Sequence, residues 1–175
     1  MKKILAILAL AVSSSAMAVN YVSVDVDNVS AGAGGTNSVA QYVRAGTEKG
    51  GIQWGLQSRT ARLDGGGVLS SLEVTGAKSF GIVSPFVGVG RDNGTNAYNY
   101  GLVGVTAGMP IGPGFAMTGV KTRVGSTETT RTKQTVGFAT YSIPVAKNVS
   151  VNLNASKSIQ DIKENAIGLG LGFSF

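Results

Sequence analysis

The sequence contains neither cysteine nor histidine, and charged side chains make up only 14% of it. Without cysteine there is no disulfide framework, and without either residue type a zinc site has no ordinary ligands. Every catalytic arrangement that relies on an imidazole, the Ser-His and Asp-His hydrolases included, is excluded with them. A water-facing surface ordinarily carries about 25–35% charged side chains, so the chain is under-charged for a soluble domain. Yet no apolar run reaches the roughly 18–20 residues that a membrane-spanning helix needs. What is abundant is glycine, 26 in 175 residues, and the net charge is +6. The length is that of one domain. The positive balance does not point to nucleic acid, because no basic run exists and no aromatic residues interleave with one.

The compartment is written at the start. Met1-Lys2-Lys3 is a short basic leader, residues 4–12 (ILAILALAV) are apolar, and Ala16-Met17-Ala18 is a small-x-small cleavage site. This is the pattern of a secretory signal peptide. Residues 1–18 are expected to be removed, leaving 19–175 as the mature domain. The apolar stretch is too short for an anchor, and no cysteine follows the cleavage point to carry a lipid.

From residue 19 onward, apolar residues recur at every second position in segments of about ten, bounded by Gly, Asn, Asp, Ser and Pro. The end of the chain is clearest: Ile167, Leu169, Leu171 and Phe173 alternate with Gly168, Gly170, Gly172 and Ser174. Just before it, Val149, Val151 and Leu153 alternate with Ser150, Asn152 and Asn154. Val136 and Phe138 oppose Thr135, Gly137 and Ala139 in the same way. No stretch shows a 3.6-residue period, so the chain is all-β. The spacing predicts ten strands, at 19–28, 37–46, 51–62, 68–77, 80–91, 97–109, 115–124, 133–143, 148–157 and 165–175. Eight strands remain the alternative if two weakly patterned segments are loops. Three segments are weakly patterned, 38–46, 80–91 and 97–109; the second and third carry apolar groups in both phases, and the faces of all three stay open. Connections alternate between tight turns and longer polar loops, and none is long enough for a parallel crossover. The sheet is therefore expected to be an antiparallel up-and-down meander.

Charge placement decides which face is wet. Most charged residues fall in connections or at strand ends. The strand interiors hold Asp25, Asp27, Arg44, Arg59, Glu73, Lys121 and Arg123. A soluble sheet would scatter Lys and Glu along its wet face, whereas the last two strands carry only Gly, Ala, Ser and Asn there. Segments of about ten residues also match a tilted membrane strand of 9–11 residues. In lipid, open edges leave backbone groups unpaired, so the sheet must close. The expected fold is a closed transmembrane β-barrel with the aliphatic face toward lipid. Asp25, Asp27, Arg59, Glu73, Lys121 and Arg123 lie opposite the aliphatic residues and so are assigned to the lumen, while Arg44 is ambiguous. Tyr21, Tyr98, Tyr100, Tyr141, Phe115, Phe173 and Phe175 fall near strand ends, where aromatic rings suit the headgroup level.

Gly168-Leu169-Gly170-Leu171-Gly172-Phe173-Ser174-Phe175 resembles the closing strand of Gram-negative outer-membrane β-barrels, which typically ends in phenylalanine. Pro85-Phe86-Val87-Gly88-Val89-Gly90 is similar to a segment of small barrels of the OmpA and opacity-protein type. The resemblance implies the bacterial outer membrane as location and its lipid as partner. It also implies periplasmic chaperones and the barrel-assembly machinery during biogenesis, with Phe173 and Phe175 in the assembly signal. Enzymatic barrels of this class, such as the omptin-type proteases and the outer-membrane phospholipase, use histidine. With none here, no catalytic, metal or cofactor residue is assigned.

The expected role is a porin-like or structural envelope protein with a polar, partly charged lumen, which leaves room for a narrow passive diffusion path. The lumen charges have two uses: a paired network holding the interior together, which is favoured, or a charged constriction that filters solutes. The alternative role is surface adhesion through the loops, which are short.

Overall fold

The computed structural model describes residues 20–31, 36–94, 97–126, 131–159 and 164–175. The expected signal peptide, residues 1–18, lies outside the described residues. Ten strands follow one another: β1 (Tyr21–Ala31), β2 (Ser38–Lys49), β3 (Ile52–Leu63), β4 (Val68–Ala77) and β5 (Val83–Asp92), then β6 (Tyr98–Ile111), β7 (Gly114–Ser126), β8 (Arg131–Ala146), β9 (Val149–Ser158) and β10 (Glu164–Ser174). Each pairs antiparallel with its sequence neighbours, and β1 pairs with β10, so the sheet is a closed barrel. The eight-strand alternative is set aside, because all three weakly patterned segments became full strands, β2, β5 and β6.

The tight turns and both described chain ends lie at one rim. Gly50 and Gly51 make the β2–β3 turn with φ of 63° and 73°, the two successive left-handed residues that a two-residue hairpin of matching twist requires. At the same rim, Asn20 and Phe175 exchange a pair of backbone hydrogen bonds beside the β1–β10 seam. Pro144 has no N–H to give to the ladder, and the β8–β9 register shifts between it and Ala146.

Alternation along the strands sorts the side chains into two populations. Outward positions carry Val24 and Val26 on β1, Val87 and Val89 on β5, Val103 on β6, and Ile167, Leu169 and Leu171 on β10, all exposed. The outside of the barrel is thus an aliphatic belt. Its outward aromatics among the described strand residues, Trp54, Tyr141 and Phe173, lie toward the turn rim.

Two face assignments are corrected. Val136 and Phe138 were expected outward, but the register sets them beside Lys121 and Gly119 on the inward side. A one-residue change of phase moves every side chain of a strand to the other face. Phe138 settles the phase, since its ring occupies the space over Gly119 that a Cβ would need. Of the aromatics assigned to the headgroup level, Tyr21, Tyr98, Tyr100 and Phe115 likewise face inward. Tyr98 and Tyr100 stand in register with Asp92 and Gly90 of β5, the rings of Tyr21 and Phe115 lie over Gly46 and Gly108, and Tyr100 is buried.

Candidate functional site

The inward faces of the strands converge on one belt of polar side chains. Ser23 is paired with Arg44, Arg44 with Gln57, and Gln57 with Glu73, which carries the inward row from β1 to β4. On β5 the row meets only Gly90, which lies between Glu73 and Tyr100. Lys121 and Arg123 face in from β7, Gln134 and Thr140 from β8, and Asn152 and Asn154 from β9.

Hydrogen bonds join these groups end to end. The Thr140 hydroxyl donates to Asn154 Oδ1 at 2.9 Å, and Asn154 Nδ2 donates to Asp25 at 2.9 Å. Asp25 also accepts from Ser23 Oγ at 3.0 Å and from Asn152 Nδ2 at 3.5 Å, and it is ion-paired with Arg44. Arg44 Nε donates to Gln57 Oε1 at 2.9 Å, and Gln57 Nε2 reaches Glu73 at 3.4 Å. Glu73 then accepts from Lys121 Nζ at 2.9 Å and from the Tyr100 hydroxyl at 3.0 Å, and it pairs with the Arg123 guanidinium. Arg123 Nη1 donates to Gln134 Oε1 at 3.1 Å. The series leaves β8 at Thr140 and returns to β8 at Gln134. It is a ring.

The two carboxylates at its centre are almost out of contact with solvent, with Asp25 1% and Glu73 4% exposed. Buried carboxylates are costly unless charge and hydrogen bonds compensate them, and both have these in full. The strands that contribute no side chain to the ring contribute space. A Cβ at Gly170 would run into the Asp25 carboxylate, one at Gly168 into Asp27, and one at Gly90 into the Tyr100 ring.

Toward the loop rim the ring is capped by a second layer. Asp27 is buried, with Oδ1 unpaired, and the Nε of Arg59 also lacks a hydrogen-bond partner. The Tyr42 ring is flanked by two guanidiniums, Arg44 at 4.6 Å and Arg59 at 6.0 Å. Beyond them Val29, Ala40, Ala61 and Ala166 form a buried apolar cluster against Tyr42 and Leu69.

All six residues assigned to the lumen from the sequence therefore stand in the inward register: Asp25, Asp27, Arg59, Glu73, Lys121 and Arg123. Asp25, Glu73, Lys121 and Arg123 join one network, whereas Asp27 and Arg59 sit in the layer above. Ambiguous Arg44 is the link between the two carboxylates. Gln57 and Arg59 lie on β3 and Lys121 and Arg123 on β7, and Glu73 of β4 reaches across to the second pair. Tyr100 was missed because its neighbours are apolar in both phases, and Asn152 and Asn154 were visible only as small polar groups. Phe173 faces outward, and Phe175 lies at the turn rim beside Asn20, both exposed.

Solved structures with the same architecture exist at low identity. The translocator domain of autotransporter NalP from Neisseria meningitidis aligns with a TM-score of 0.54 at 12% identity, over 99% of this chain and 94% of that one. The fold is that of an outer-membrane β-barrel. Two further barrels align less closely. Neisserial surface protein A does so with a TM-score of 0.47 at 11% identity, over 90% of this chain and 96% of its own. The N-terminal barrel of Pseudomonas aeruginosa OprF aligns with a TM-score of 0.40 at 15% identity, over 89% and 97%. No family model matches the sequence, and no curated protein does.

Proposed function

We propose that the protein is an integral barrel of the bacterial outer membrane with a structural role in the envelope, its lumen closed at rest by the ionic ring. The observation that carries this reading is the burial of Asp25 and Glu73 inside the lumen, each held by partners from several strands. A filter would line an open path with charged side chains. Here Asp25 and Glu73 are paired with Arg44, Lys121 and Arg123, and these two carboxylates are sealed from water by their partners. Solute passage is then limited to what side-chain movement in the ring admits, with small polar molecules as the class that would pass.

In this reading the turn rim faces the periplasm and the loop rim the exterior, the arrangement of bacterial barrels with short periplasmic turns. The barrel carries out no chemistry. Its partners are the surrounding lipid and, during biogenesis, chaperones and the assembly machinery. The exposed, outward Phe173 and terminal Phe175 are offered to that machinery on β10.

Planar-bilayer recordings test the closed lumen. The wild-type barrel should show rare, small conductance steps. Glu73→Ala, which leaves Lys121 and Arg123 facing each other unopposed, should raise both their frequency and their size. A wild-type conductance already equal to that of the variant would contradict a closed lumen.

A further inference from the structure

A groove of about 750 Å³ runs across the outside of the barrel over β4 to β7. Its walls are aliphatic: Leu72 and Val74 on one side, Val124 on the other, with Val89 between them. The register explains the depression. Val74, Val89, Gly101 and Val124 form one outward row across four strands, and the third member has no side chain. A Cβ placed on Gly101 would meet nothing within 4 Å. Packing within the barrel therefore does not demand glycine there.

At the loop-rim end of the groove the same outward faces carry Arg91 and Asn99, directly paired across β5 and β6. Arg91 Nε donates to Asn93 Oδ1 at 2.9 Å, which ties the exposed guanidinium to the mouth of the groove. The charge around it has one sign. Arg62, Arg91, Lys133 and Lys157 occupy outward positions near the loop rim. Every carboxylate of the described strands, Asp25, Asp27, Glu48, Glu73, Asp92 and Glu164, is in the inward register. No described strand acid competes on that surface.

We propose that this groove holds a phosphorylated membrane lipid of the loop-side leaflet, one acyl chain lying over Gly101 and the phosphate on Arg91. A planar guanidinium is the side chain best matched to a phosphate, through two parallel hydrogen bonds. Aliphatic walls meeting a fixed cation fit an amphiphile with an anionic head. The inference rests on the outer face meeting lipid, so folding and binding are read separately.

The test uses the folded full-length barrel in detergent, titrated with phosphatidic acid, inorganic phosphate or diacylglycerol and followed by native mass spectrometry. Phosphatidic acid should add as one tightly held copy, while neither phosphate nor diacylglycerol alone does. Arg91→Ala and Gly101→Leu should each weaken the phosphatidic acid adduct at least tenfold, with Gly101→Ala standing in if the larger residue does not fold. Heat-modifiable gel migration reports folding, and its absence in the wild type would refute the membrane-barrel reading itself. Normal migration with adducts unchanged in both variants would overturn the groove. Phosphate binding as tightly as the lipid would make this a free-anion site and overturn the lipid.

Discussion

Glu73 shows how one side chain sets the interior of this barrel. It takes donors from β3, β6 and β7 while being itself nearly sealed from water. Removing it leaves two half-buried cations beside each other without a counter-charge. Breaking a buried pair from one side costs about 3–5 kcal/mol. Glu73→Ala is expected to lower the urea midpoint accordingly, followed by the fluorescence of the single tryptophan, Trp54. Gly170 makes the complementary case. The methyl group of an alanine there would displace the Asp25 carboxylate from Arg44 and Asn154. Gly170→Ala should destabilise by roughly 1–3 kcal/mol, the scale of an overpacked site, in the same unfolding assay.

At the scale of the strand, alternation made most of the architecture readable. β9 and β10 show a clean period of two because their lumen side is built from Asn, Ser and Gly while their outer side is aliphatic, and both faces came out as read. β5 and β6 did not, since the lumen between the ring and the turn rim is itself partly apolar: Phe86 and Leu102 face inward. With hydrophobic groups on both sides of a strand, hydropathy carries no phase. β8 misled for the opposite reason, because Thr135, Gly137 and Ala139 are small enough to suit either lipid or lumen. The six lumen charges could be placed because a charge at mid-bilayer is expensive. Who pairs with whom could not, because Arg44 to Gln57 or Glu73 to Lys121 depends on register between strands. The corrected phase of β8 has a direct test. Ala139→Arg now points to lipid and should lower folding yield in vesicles by an amount equivalent to about 2–4 kcal/mol, whereas Ala139→Leu should be tolerated.

For the whole molecule, the seam between the first and last strands sets the order of events. Tyr21 lies opposite Ser174, and Ala31 opposite Glu164, so this ladder joins the most distant parts of the described chain. Bringing such distant ends together has an entropic cost that rises with the length between them, and folds dominated by non-local pairing form slowly. Until that zip closes, two bare strand edges face outward with their N–H and C=O groups unsatisfied. A chain cut before Glu164 leaves one edge of β1 unpaired, with only β2 beside it. It should remain sensitive to added protease in vesicles that protect the intact protein. Completion is therefore all-or-none: nine strands in place confer little of the durability that the tenth supplies, and every unfinished copy is a target for degradation.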